Sequence, residues 1–323
     1  MGDAKTLGLD PKTLGLVGGV LVLLAAATVV VHLLKNRADG RFSTAILDTL
    51  AHRIRAWWLF CALMAASFYI RPTATVVFFG LISFWALREF ITLTPTRPGD
   101  HRALFWTFFL CTPLQYILVA LRQYELYSVM IPVYAFLLIP ARIALSGDSK
   151  RFLERTAKIQ AGLLVCVYCF SFAPALLTLD LPGGPYSNAR LLFFFVLIVQ
   201  ASDALQYSWA QLPSKHVITP TVNPTRTWEG LLGGTASTAL VGAALWWATP
   251  FPPWLAAVMS MVIALMGFGG AMVMSAIKRD RGVKDYGTLV EGHGGVLDRI
   301  DSICFAAPVF FHLTRTLSHT LLS

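Results

Sequence analysis

The sequence predicts an all-α, polytopic integral membrane protein of about ten transmembrane helices. Three observations carry that expectation. Hydrophobic residues make up 56% of the 323 residues and charged residues only 13%, with a mean hydropathy of +0.64, whereas a soluble globular chain carries about 25% charged residues. Apolar runs of about 20 residues, the length that crosses a bilayer as a helix, recur along the chain. The basic residues alternate between the two sides of those runs: twenty of the 26 lysines and arginines fall in one set of loops, as a cytoplasmic face requires. The net charge of +9 is thereby explained by topology, and no nucleic-acid partner is expected.

The first run, about Leu14 to Leu34, is too long for a secretory signal and lacks a clear cleavage site, so it reads as a span. The second starts near Ala56 and ends at Ile70; the third follows Pro72 and ends near Leu87. Only Arg71-Pro72 separates them, so they form either a tight hairpin or one interfacial piece. The fourth covers about Ala103 to Leu121, the fifth Tyr127 to Ala144, the sixth Ile159 to Leu179 and the seventh Leu191 to Ala210. The eighth runs from Trp228 to Ala248, the ninth from Trp254 to Ile277 and the tenth from Ile300 to Leu317. This count places both termini on the non-cytoplasmic side.

The basic loops of the N-terminal half read as orientation signals and headgroup contacts. The cluster at 146–160, SGDSKRFLERTAKIQ, reads as an amphipathic interfacial segment whose Lys and Arg side chains meet anionic lipid. The five cysteines lie in apolar runs, and the Cys166-x-x-Cys169 pair reads as small core residues. No repeat or low-complexity tract is present. Two regions result: 1–180, transmembrane helices with basic cytoplasmic loops, and 181–323, a C-terminal transmembrane region that holds the polar stretch 275–301.

The most informative stretch is Ser275 to Asp301. It sets Lys278, Arg279, Arg281, Lys284 and Arg299 against Asp280, Asp285, Glu291, Asp298 and Asp301, with Gly287, Gly292, Gly294 and Gly295 between them. Cations, carboxylates and glycines together suit a metal-bound polyphosphate: basic side chains meet phosphate, carboxylates hold a hard cation, and glycines let main-chain N–H groups form an anion nest. Asp298 and Asp301, three apart at the start of the tenth span, point the same way and sit at a positive helix end. His293, between glycines, reads as a turn residue.

Two more segments need a reason. In the seventh span Gln200, Asp203 and Gln206 share one helix face. A carboxylate within a membrane helix is costly unless it faces a partner or a polar cavity, so Asp203 reads either as a packed contact or as a site wall. In the following loop three prolines forbid helix up to Pro224, and Thr227 is placed to cap a helix beginning at Trp228. Gly233 and Gly234 allow that helix close packing. Lys215, Arg226 and the Thr227 hydroxyl are candidates for a phosphate near that helix N-terminus.

On these residues the chain resembles the phosphatidate cytidylyltransferase (CDP-diacylglycerol synthase) family. The family pattern is met by Ser275, Lys278-Arg279, Lys284-Asp285, His293-Gly294-Gly295, Asp298-Arg299 and Asp301 at family spacing. An intramembrane Asp followed by a Ser-Pro-Lys-Lys-Thr-x-Glu-Gly-like loop is met by Asp203 and Asn223-Pro224-Thr225-Arg226-Thr227-Trp228-Glu229-Gly230. The resemblance covers about Gln200 to Asp301. Val290-Glu291 replaces the usual Leu-Pro or Ile-Pro, Asn223 and Thr225 replace a Ser and a Lys, and Ser214-Lys215 stands where Gly-Lys is common. These departures leave the metal constellation intact and bear on the lipid acceptor, as in a diverged paralogue.

The resemblance implies transfer of a cytidylyl group from CTP to phosphatidate, giving CDP-diacylglycerol and pyrophosphate. It implies Mg²⁺, with a second cation as an option, held by Asp285 and Asp298 with Asp301 and Asp203 as further ligands or supporting groups. Lys278, Arg279, Lys284 and Arg299 would neutralise the triphosphate. Lys215, Asn223, Arg226, Thr227, Gly294 and Gly295 would line the nucleotide site. Asp285, Asp298, Lys284, Lys278 and Arg299 are then the catalytic set. The implied setting is a bacterial inner membrane, with the site facing the cytoplasm, membrane lipids around it and a homodimer as the assembly. Two rivals stand beside this: a transporter using Asp203 as an ion or proton site, and another lipid phosphotransferase such as a CTP-dependent lipid kinase.

Overall fold

The computed structural model describes residues 11–36, 58, 72–93, 96–181, 184–212, 216–287 and 294–321. Among these residues nine helices of 17 residues or more are found, with a short 3-10 turn at Trp246–Ala248. They are α1 (Pro11–Asn36), α2 (Pro72–Thr92), α3 (Pro98–Ala120), α4 (Tyr124–Ala144), α5 (Phe152–Thr178), α6 (Gly184–Trp209), α7 (Trp228–Ala244), α8 (Pro253–Asp280) and α9 (Leu297–Leu321). Between α6 and α7 lies an antiparallel ribbon, β1 (Val217–Thr219) and β2 (Asn223–Thr227), pairing Val217 with Thr227 and Thr219 with Asn223.

Six helices, α2 to α6 and α8, are long and apolar enough to cross a membrane. The protein is therefore an integral membrane protein, and among the described residues six of the roughly ten expected spans meet that length and hydropathy. The second expected span, Ala56 to Ile70, lies outside the described residues. α7 is only 17 residues long because the chain turns away after Ala244. α9 is interrupted by Asp298, Arg299, Asp301, His312 and Arg315, and falls short in hydropathy.

The chain divides into two compact units, Met1–Thr75 and Val76–Ser323. In the first, α1 is an unbroken apolar helix whose Thr28 hydroxyl donates to the Leu24 carbonyl at 2.7 Å. In the second, α6 packs on α7, α7 on α8 and α8 on α9, while α9 also lies against α5. Small residues bring the backbones together. A Cβ at Gly234 would fall 2.7 Å from the Gln206 Cα, so α6 and α7 touch where the sequence placed two glycines. α2 joins the core through Phe79, whose ring centroid is 5.2 Å from that of Phe170, and through Ser83, which donates to the Cys166 carbonyl at 2.7 Å.

Three helices contain π-helical turns, at Thr107–Cys111, Met130–Ala135 and Leu163–Cys169. Each lies at or shortly before a proline (Pro113, Pro132, Pro174), whose missing N–H and ring crowding locally disrupt the regular ladder.

One sequence expectation needs correction here. In the segment at 146–160 Lys150 and Arg151 are exposed, but Arg155, expected among the lipid-facing cations, is turned inward. Arg155 is 5% exposed and its guanidinium grips Asp100, itself 1% exposed, at 2.5 Å, and donates to the Asp148 and Lys150 carbonyls at 3.0 and 2.7 Å. Arg97 meets Asp148 at 3.1 Å. Burial acts to raise the Asp148 carboxyl, but the Lys150 amide and the Arg97 and Arg155 guanidiniums together hold it below its ordinary value. Arg155 is turned inward because buried Asp100, more than fifty positions earlier, and two carbonyls of its own segment accept it, which sequence spacing does not reveal.

Candidate active site

The polar stretch begins on the last turns of α8 and ends on the first turn of α9. Lys278 projects from α8 and its Nζ donates to Asp298 Oδ1 at 2.7 Å, with the two side chains 15% and 11% exposed. The other Asp298 oxygen accepts from the backbone N–H of Tyr286 and of Gly295, each at 2.9 Å. Asp298 thus ties together three parts of the stretch. Gly295 spends its N–H on Asp298, so the expected anion nest is in part an internal carboxylate cradle.

Gly294 has a positive φ of 78°. A Cβ there would sit 2.8 Å from Asp298 Oδ2 and 3.3 Å from Asp285 Oδ1. Glycine is needed on both counts, and these positions bring Asp285 and Asp298 to the same piece of backbone. Asp285 and Lys284 are exposed. Tyr286, buried between them and the core, donates its hydroxyl to the Met274 carbonyl at 2.8 Å, and Lys278 lies 5.3 Å from its ring centroid. Burial, and then the Asp298 charge, push the Tyr286 phenol well above its ordinary value, so it stays a neutral donor.

A second wall is built by α6 and the ribbon. Arg226 on β2 donates to Gln206 Oε1 at 2.7 Å and to Asp203 Oδ1 at 3.2 Å, and its guanidinium lies 5.6 Å from the Phe268 ring centroid. The expected shared face of Asp203 and Gln206 is therefore real, and its common partner is Arg226. Gln200 is half-buried on the same helix. Asp301 accepts from the Ser302 N–H at 2.7 Å, and its carboxylate interacts electrostatically with Asp203, Arg226 and Lys278.

The ribbon is pinned to the end of α8. Asn223 Nδ2 donates to Ser275 Oγ at 3.0 Å, and Arg279 Nε donates to the Val222 carbonyl at 3.3 Å. Thr227 caps α7, its Oγ1 accepting from the Gly230 N–H at 3.0 Å, as the sequence suggested. It is 2% exposed, so its hydroxyl is committed to the helix. Arg299 is half-buried beside Asp298. Lys215, Glu291 and His293 lie outside the described residues.

Sequence reasoning passed over Glu89. It sits on the last turn of α2, 5% exposed, and accepts from the N–H groups of Val296 and Leu297 at the entry to α9. The signal was present: a carboxylate adjoining an apolar run, which the rule applied to Asp203 would have caught. Ending the third span at Leu87 placed Glu89 in a loop.

The model of the cytidylyltransferase family matches residues 51–317. The chain is 38% identical over 273 residues to the uncharacterized protein YnbB of Escherichia coli K12, covering 81% of this chain and 86% of that one. It is 35% identical over 181 residues to a phosphatidate cytidylyltransferase of Mycobacterium leprae, covering 55% of each chain. A Staphylococcus epidermidis phosphatidate cytidylyltransferase is 36% identical over 122 residues, covering 37% of this chain and 47% of that one. The matches to these two phosphatidate cytidylyltransferases thus span about half of each relative's length.

Proposed function

We propose, from the premise that this chain belongs to the cytidylyltransferase family, that it transfers a cytidylyl group from CTP to phosphatidate at the membrane surface. The similar proteins named phosphatidate cytidylyltransferase support the substrate pair. The observation that carries the reading is the meeting of two distant segments, 216–227 and 275–301. Asn223 bonds Ser275 and Arg279 bonds the Val222 carbonyl.

The chemistry asks little of a base. A phosphatidate phosphate oxygen is already an anionic nucleophile. It attacks the α-phosphorus of CTP, a new P–O bond forms, and the bond to the β-phosphate bridging oxygen breaks. The electron pair leaves with pyrophosphate, and no proton need move. What the site must supply is charge neutralisation and alignment. Lys278, Arg279, Lys284 and Arg299 lie along one wall and Arg226 on the other; they bind the triphosphate and offset the charge of the leaving group. Lys278 and Asp298 restrain each other, so the cation is already placed before substrate arrives.

Among the described residues no three His, Cys, Asp or Glu side chains gather as a metal centre. Mg²⁺ is commonly held by one or two carboxylates together with substrate phosphates, so a donor pair suffices. Asp285 and Asp298, which flank Gly294, fit that role for a cation that arrives with CTP. When bound it supplies further neutralisation of the phosphates. Asp301 is the next carboxylate along. Asp203, in this reading, holds Arg226.

The site then faces the cytoplasm of a bacterial inner membrane, opens sideways to lipid, and works in a homodimer. The test uses purified protein in detergent with Mg²⁺, phosphatidate and CTP labelled at the α-phosphate. Label in the lipid phase with release of pyrophosphate is expected. Release of CDP with no labelled lipid would replace the reading with a kinase. No nucleotide turnover with any lipid phosphate would overturn it.

A further inference from the structure

Two neighbouring residues of α2 hold both ends of the loop that carries the candidate site. Glu89 accepts from the Val296 N–H at 3.0 Å through one oxygen and from the Leu297 N–H at 2.8 Å through the other. Its contacts explain two glycines. A Cβ at Gly287 would lie 2.7 Å from Glu89 Oε1, and one at Gly295 would overlap the Glu89 carboxylate. The next residue, Phe90, stacks on Tyr286 with ring centroids 6.3 Å apart and planes 17° from parallel. One turn of α2 therefore grips the chain at 286–287, where the loop leaves, and at 295–297, where it returns. Those same residues present the two N–H groups that hold Asp298.

Glu89 is a carboxylate of low exposure that accepts from two backbone N–H groups at the start of α9, the positive end of that helix dipole. Burying a carboxylate is expensive unless it is well bonded, and a simple helix cap does not need a residue more than 200 positions away. A local Ser, Thr or Asp would serve as cap. What the remote carboxylate adds is a fixed separation between Tyr286 and Asp298.

We propose that Glu89 is a positioning residue for the candidate site: through the loop backbone it sets where Asp298 and Asp285 stand, and makes α2 a working part of the catalytic region. This rests on the function proposed above only for its activity readout. Glu89→Gln keeps the size of the side chain, but puts an amide N–H₂ against a backbone N–H.

The test compares wild type, Glu89→Gln, Gly287→Ala and the double variant Glu89→Ala/Gly287→Ala as purified full chains in detergent. Hydrogen exchange is read first because it needs no activity. Faster exchange across 286–297, with 255–274 unchanged, is expected in Glu89→Gln. Cytidylyl transfer is expected to fall about 10- to 100-fold in kcat, with the Mg²⁺ concentration for half-maximal rate raised, as for other groups that support a ligand from behind. The alanine at 287 collides with the carboxylate, so removing that carboxylate in the double variant is expected to restore part of the activity lost in Gly287→Ala. Unchanged exchange across 286–297 in Glu89→Gln overturns the proposal, as does loss of activity that only follows loss of folded protein, with kcat per folded molecule and Mg²⁺ dependence unaltered. If wild type turns over no nucleotide, the functional reading fails while the exchange result still decides the role of Glu89.

Discussion

Asp285 and Asp298 stand side by side in the signature, yet the same substitution should affect them differently. Asp298 accepts a charged hydrogen bond from Lys278 and two from backbone N–H groups, at 11% side-chain exposure. Asp298→Asn turns an amide donor toward donors, so it should abolish transfer and also cost about 1–3 kcal/mol of stability. Asp285 is exposed, and among the described residues no hydrogen bond to it is found. Asp285→Asn should abolish transfer while leaving the thermal midpoint in detergent where it was. Label transfer and a melting curve on each variant decide this; normal turnover by Asp285→Asn would remove it from the metal pair. Both aspartates were legible in the sequence because they lie within the same charged, glycine-rich stretch, which also holds the partners of Asp298, Lys278, Tyr286 and Gly295. Glu89 was not, because its partners are 207 and 208 positions away.

At the scale of elements, the loops that join α2 to α3 and α4 to α5 are locked by the Asp100–Arg155 pair. Breaking a buried ion pair leaves an uncompensated charge and costs about 3–5 kcal/mol. Arg155→Ala should accordingly lower the melting midpoint sharply, whereas Lys150→Ala, at an exposed position, should leave it unchanged. Equal effects would show that the network is a surface feature. The basic character of this segment was plain from sequence, but its direction was not: an Arg that faces lipid headgroups and one that faces a buried Asp have the same neighbours in the chain. The ribbon β1–β2 was likewise unseen. Pro220 and Pro224 correctly excluded helix, but short strands pair through backbone groups, and Pro224 argued weakly against a strand as well.

At the scale of the molecule, contacts gather the loops rich in Lys and Arg at one end of the helices of the second unit. Arg97 meets Asp148, Arg155 meets Asp100, Arg281 approaches Glu154 at 3.9 Å, and Glu89 reaches Val296. That common end is what the charge alternation asks of a cytoplasmic face. A single cysteine replacing exposed Gln123 should react with an impermeant maleimide in intact cells. One replacing exposed Ser149 should react only after the membrane is opened. The reverse pattern would invert the proposed topology.

Composition and hydropathy by themselves determined that this chain lives in a membrane as a helical protein, because burial in lipid demands long apolar runs with internally bonded backbone. The spacing of charge and glycine singled out the candidate site, because the signature is local and its residues meet one another within a few turns. Tertiary structure alone decided what each charge faces: Arg226 against Asp203, Arg155 against Asp100, Glu89 against the entry to α9. An ion pair or a capping carboxylate is chosen by proximity in space. Chain order carries no record of that proximity when the partners belong to helices far apart in sequence.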